Sequence, residues 1–175
     1  MDGQTTTSTT RLFLALWPDP GVRHLLVQWR DRIQHCGTWP KAASPVHADK
    51  LHVTLHFLGA LPSERLSELL DGFAVPFEPF RLDLNRAALW HNGIAVLEPD
   101  ATPAGLAALH ARLSDALVAL GLQPEARRYR PHVTMARRAT GATVPQDGPP
   151  VLWDVRGYAL VESKNGVYTV LRNYA

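Results

Sequence analysis

The chain carries 175 residues, 46% of them hydrophobic and 19% charged, with a formal net charge of +2. That content fills one core, or two small lobes sharing it. It excludes the strongly basic coat of a duplex-binding protein, so nucleic-acid contact is expected only at an end or a short segment.

Residues 1–10, MDGQTTTSTT, lack the basic start and apolar stretch of a secretory signal and are read as a disordered tail ahead of a single domain over 11–175. Residues 11–17, RLFLALW, read as a buried strand ending at Pro18, and PDPG opens a helix from about Pro20 to about Cys36. Cys36 is the single cysteine, which excludes an internal disulfide and a thiolate metal cluster and suits a reducing cytosol. Residues 37–49 are loop-like. Residues 51–58, LHVTLHFL, alternate, are rich in strand formers and stop at Gly59. Residues 62–73 form a short helix, with Pro62 at its start and Leu66, Leu69 and Leu70 at helical spacing.

Residues 80–90 read as a strand that turns at His91-Asn92-Gly93 into a second one, 94–98. A long amphipathic helix follows over 103–121, with Leu106, Leu109, Leu113, Leu117 and Leu120 on one stripe and Gly121 as its stop. Residues 130–137, RPHVTMAR, are a further strand. After a Gly/Pro-rich loop at 139–150, two strands, about 151–162 and 166–172, are joined by the turn Ser163-Lys164-Asn165-Gly166. The fold class is α+β, mostly antiparallel. No apolar run approaches the ~20 residues of a membrane helix, and a cytoplasmic protein is expected.

One pattern occurs twice. His52-Val53-Thr54-Leu55 and His132-Val133-Thr134-Met135 each place His-x-Thr before an apolar residue in a predicted strand, 80 positions apart. Alternation puts His52 and Thr54 on one face, with Val53 and Leu55 in the core, and likewise in the second copy. A pseudo-two-fold between the halves would bring both pairs to one cleft. Two imidazoles, one neutral and one protonated, take a proton from a nucleophile and give one to a leaving oxygen. The hydroxyls of Thr54 and Thr134 can meet phosphoryl oxygens. This set suits in-line displacement at a phosphodiester without a metal or other cofactor.

At these residues the chain resembles the 2H phosphoesterase superfamily, and within it the RNA 2′,3′-cyclic phosphodiesterase family, historically called 2′–5′ RNA ligases. Arg11–Ala15 resembles that family's opening strand, Leu51–Gly59 its first motif, Arg130–Arg137 its second and Leu160–Ser163 its strand near the C-terminus. The resemblance implies a bilobal fold: two pseudo-symmetric halves of mostly antiparallel sheet, helices outside, motifs facing a central cleft. It implies hydrolysis of RNA 2′,3′-cyclic phosphate ends to 2′-phosphates, with RNA ends or cyclic nucleotides as partners, and a monomer is expected. It makes His52 the proton donor and His132 the acceptor, although the near-symmetric motifs alone leave the roles open. Arg137 matches the family's motif-ending arginine and is a candidate phosphate contact.

His56 departs from an arginine common in the family. Alternation places it beside His52 and Thr54, where it would supply charge only when protonated. Alternation turns Phe57 and Arg137 away from the cleft unless the strands twist. His56, Phe57 and Arg130 are candidate substrate contacts, and Arg127, Arg128 and Arg138 add local positive charge. His24, His35, His47, His91 and His110 read as surface or structural residues. The four-residue spacing of His52 and His56 suits zinc on a helix but not in a strand with no third ligand nearby. No G-x-S-x-G motif supports a serine hydrolase. The rival readings are a 2′–5′ end-joining ligase using the same residues in reverse, a phosphodiesterase of a small cyclic nucleotide, and a non-catalytic RNA-binding module.

An acid–base pair of histidines requires a bell-shaped dependence of rate on pH. Turnover of a cyclic phosphate that stays flat from acid to strongly alkaline pH would exclude it.

Overall fold

The computed structural model describes residues 8–175. Ten strands and three α-helices follow in chain order: β1 (Thr9–Leu16), α1 (Pro20–Gln34), β2 (Ser44–Pro45), β3 (Val53–Pro62), α2 (Leu66–Gly72), β4 (Phe80–Leu84), β5 (Arg86–Leu89), β6 (Ala95–Glu98), α3 (Ala104–Ala119), β7 (Val133–Arg137), β8 (Val151–Val155), β9 (Tyr158–Lys164) and β10 (Val167–Tyr174). The main sheet runs β10-β9-β1-β3-β7-β6-β5, with β2 added beside β7, and β4 pairs β8 separately. Every ladder is antiparallel.

The two halves of the main sheet meet at one residue pair, Val53 opposite Val133. One face carries the large core, built on Leu14, Leu16, Val53, Leu97, Val133 and Met135. On the other face Phe13, Ala15, Ala159 and Val161 form a small cluster under Trp17 and Tyr168. Helix α1 starts because Asp19 accepts a hydrogen bond from the Val22 amide at 2.8 Å and Pro20 sits in the first turn. It packs against β7 and β8, while α3 packs its Leu106, Leu109, Leu113 and Leu117 stripe against β3 and β4. No helix among the described residues is long and apolar enough to cross a membrane.

Several boundaries differ from the sequence reading. Residues 1–7 of the expected tail lie outside the described residues, but Thr9 and Thr10 belong to β1, and the Thr10 hydroxyl donates to Glu162 at 2.8 Å. Strand β3 does not stop at Gly59. That glycine takes φ +75° and absorbs an irregularity opposite Leu12, so the strand continues to Pro62. The expected strand 80–90 is two strands, because the chain changes sheet at Asn85, whose amide bonds the Glu98 carbonyl. The expected strand 151–162 breaks before Gly157, where a Cβ would collide with the Tyr174 carbonyl. The Asn165-Gly166 turn is as expected, with φ +52° and +75° joining β9 to β10.

Candidate active site

His52 and His132 sit one residue before β3 and β7. Each ring is anchored the same way. The Nδ1–H of His52 donates to the Lys50 carbonyl at 2.6 Å, and that of His132 to the Arg130 carbonyl at 2.8 Å. Each anchor is two residues upstream and fixes the tautomer, leaving Nε2 as the unprotonated nitrogen of the neutral ring. In neutral His52, Nε2 accepts from the Thr54 hydroxyl at 2.9 Å. The Val53–Val133 pair sets the two histidines on adjoining strands, close enough for His132 to act on the titration of His52.

The strands do not alternate strictly. Between the pairs Ala15–Thr54 and Leu14–His56, β3 carries an extra residue, Leu55. Between Val96–Thr134 and Ala95–Ala136, β7 carries Met135. These are β-bulges, which put two residues opposite one and shift all that follows to the other face. The burial sequences coincide: Val53 buried, Thr54 half-buried, Leu55 and His56 buried, Phe57 exposed; Val133 buried, Thr134 half-buried, Met135 and Ala136 buried, Arg137 exposed.

Three expectations change as a result. Phe57 and Arg137 turn toward the cleft rather than away from it. Phe57 is 61% exposed and lies 6.2 Å from the Phe13 ring. The Arg137 charge acts on both motif histidines. His56, expected beside His52 and Thr54, points instead toward α3, so the two histidines cannot share an ion. Its Nε2–H donates to the His110 carbonyl at 3.1 Å, and its ring stacks on His110 at 4.1 Å. Burial lowers its pKa, against the His110 carbonyl and Glu125, which favour the charged ring. His110 stacks in turn on Tyr129 at 4.0 Å, and the Tyr129 hydroxyl donates to the Thr54 carbonyl at 2.9 Å. The stack thus backs the first motif. A cavity of about 620 Å³ opens beside it, lined by Thr54, Phe57, Trp90, His110, Tyr129 and His132.

The surroundings of the two histidines differ. His52 lies in an aromatic cage, with ring centroids of Phe13, Trp17 and Tyr168 at 4.9, 5.7 and 5.7 Å. Burial there pushes its pKa down to about 4, against the Lys50 carbonyl, which favours the protonated ring; His132, Arg23 and Arg137 push the same way as burial. His132 packs on Trp90 at 4.3 Å. Its pKa is lowered, mainly by burial and less by Arg130 and Arg137, while the Arg130 carbonyl and Glu98 oppose the shift.

Arg130, a candidate substrate contact, lines the cavity beside His132. Its guanidinium lies over Trp90 at 4.4 Å and binds the buried Glu98 carboxylate at 3.1 and 3.2 Å; Arg86 reaches Glu98 at 3.2 Å. Arg130 thus joins the wall of the cavity to Glu98. Sequence reasoning missed Glu98, Trp90, Trp17, Tyr168 and Tyr129, which lie outside the motifs and carry no spacing signal. Among the described residues no three His, Cys, Asp or Glu side chains converge as metal ligands.

Residues 17–166 match the 2′-5′ RNA ligase superfamily. The chain is 32% identical to the RNA 2′,3′-cyclic phosphodiesterase of Thermus thermophilus, over 94% of this chain and 89% of that one. It is also 32% identical to the enzyme of the same name from Escherichia coli, over 94% and 96%. Crystal structures of E. coli LigT, one in apo form and one with 3′-AMP, each superpose with a TM-score of 0.83, at 30% and 29% identity, over 95% of this chain and 96% and 97% of theirs.

The Glu98 brace has a direct consequence for His132. In Glu98→Gln the opposing carboxylate is lost while the charges of Arg130 and Arg86 remain. The imidazole pKa of His132, followed by NMR titration, should fall by roughly half a unit to one unit. An unchanged or raised value would show that Glu98 does not act on His132.

Proposed function

This chain belongs to the 2′-5′ RNA ligase superfamily, and we propose that it hydrolyses 2′,3′-cyclic phosphates at RNA ends to 2′-phosphates with His52 and His132 as acid and base. The observation that carries this reading is the matched anchoring of the two imidazoles by Nδ1 to backbone carbonyls, across the single β3–β7 pair.

In the proposed reaction the cyclic phosphate lies between the motifs. The hydroxyls of Thr54 and Thr134 and the Arg137 guanidinium meet its non-bridging oxygens, where charge builds in the transition state. His132 Nε2 takes a proton from water as the water oxygen bonds to phosphorus. The bond from phosphorus to the ribose 3′-oxygen breaks in line, and His52 Nε2–H protonates that oxygen. The 2′-oxygen keeps the phosphate. No step calls on a metal, because imidazolium, guanidinium and hydroxyl groups meet the charge.

The differing surroundings favour these roles. Burial among aromatic rings lowers the His52 pKa, so the minor imidazolium form that donates is a strong acid; its assignment as donor follows the family resemblance. The Glu98 carboxylate favours imidazolium formation, which suits His132 as the acceptor. The terminal nucleoside fits the cavity beside His132, where the outward-turned Phe57 ring offers a stacking face.

The test is hydrolysis, in EDTA, of a short RNA ending in a 2′,3′-cyclic phosphate. The wild type should yield the 2′-phosphate, and His52→Ala and His132→Ala should each be slower by roughly 10²–10⁴-fold. Since both imidazoles lie below the ordinary value of about 6.5, the bell in kcat/KM should centre on the acid side of it. An inactive wild type, or alanine variants that match it, would leave a binding role instead.

A further inference from the structure

A second concavity, of about 580 Å³, shares Trp17 and Tyr168 with the cage around His52. Its walls include Trp17, Arg23, Asp49, Lys50 and Tyr168, with the β9–β10 turn at Gly166 closing one end. Trp17 and Tyr168 contact the His52 ring, so the slot adjoins the first motif. Its cations are held in place by those rings. The Arg23 guanidinium carbon lies 5.1 Å from the Trp17 centroid, and the Lys50 ammonium 5.3 Å from that of Tyr168. Arg23 also donates to the carbonyls of Ala48 and Leu51, which fixes the loop carrying Lys50.

Lys50 makes no ion pair among the described residues, and the one carboxylate of the slot, Asp49, lies 3.5 Å from His47. The slot thus carries two positive charges against one negative, on aromatic supports. Cations set among aromatic rings are how single-stranded nucleic acid is held. A cyclic mononucleotide brings one phosphate, which the threonines and Arg137 already meet, and leaves these cations without a ligand.

We propose that this slot binds the phosphodiester joining the terminal nucleotide to the one before it, so that the preferred substrate is an RNA chain of at least two nucleotides. The inference rests on the reading of the site as a hydrolase of RNA ends. The Lys50 ammonium makes the main contact, and the Arg23 guanidinium adds charge from the wall.

The experiment compares kcat/KM for adenosine 2′,3′-cyclic phosphate, for the diadenosine dinucleotide ending in the same group, and for that dinucleotide with a neutral methylphosphonate link. The wild type should prefer the charged dinucleotide by about tenfold, the scale of one charge-assisted contact. The methylphosphonate should lose that preference, and in Lys50→Met the ratio of dinucleotide to mononucleotide should fall toward one. Equal use of the mononucleotide and charged dinucleotide by the wild type overturns the proposal, as does a preference that survives the neutral link.

A second arm needs no turnover. Fluorescence anisotropy of a labelled dinucleotide 2′-phosphate should show a log–log salt dependence steeper by about 0.7 in the wild type than in Lys50→Met. Equal slopes overturn the proposal. If the wild type hydrolyses none of the substrates while the slopes differ, the hydrolytic reading falls and the phosphate slot stands.

Discussion

One extra residue after each motif threonine governs the geometry of the site. With Leu55 and Met135 pressed into the core as bulges, each strand crosses from one pleat phase to the other immediately beyond its motif. Histidine and threonine face the cleft before the bulge, and Phe57 or Arg137 faces it after. A strictly pleated strand would send those two residues into the core and bring His56 and Ala136 out. Beside the bulge the Thr54 carbonyl accepts from the Tyr129 hydroxyl, an attachment point between the first motif and the segment leading to the second.

The near-identity of the two half-sites makes their differences informative. Both imidazoles are anchored alike, yet one sits among three aromatic rings and the other beside a tryptophan backed by an arginine–carboxylate pair. In a partly desolvated site a charge several ångströms away still bears on a titrating ring. A symmetric scaffold can therefore give two like imidazoles different electrostatic surroundings without changing the motif residues, by altering only what stands behind them.

Much of this was legible in the sequence because it depends on short-range periodicity. The two His-x-Thr patterns, the leucine stripe of α3, the Asp19-Pro20 helix start and the Asn165-Gly166 turn all declare themselves within a few residues. The bulges do not. Leu55 and Met135 are apolar residues in apolar runs, and only the register of β1 and β6 shows that each is supernumerary. Alternation therefore placed His56, Phe57 and Arg137 on the wrong faces. The supports of the histidines were hidden for another reason. Trp17, Trp90, Glu98 and Tyr168 reach the cleft through the tertiary fold, and nothing in their local sequence marks a destination. The split of the expected strand at Asn85 is of the same kind, since the change of partner from β8 to β6 is a property of the sheets.

The helices add a relation that neither half shows alone. α1 follows β1, which neighbours the first motif strand, yet it covers β7 of the second; α3 follows β6, which neighbours the second, yet it covers β3 of the first. Each motif strand is thus backed by the other half's helix, and the single backbone pair at Val53–Val133 is reinforced by two crossed clasps. A half-length chain with this plan would leave its motif strand uncovered unless it exchanged helices with a second copy of itself. Such a pair would set two identical histidines about a shared axis, and fusing the copies would then free each to acquire its own surroundings.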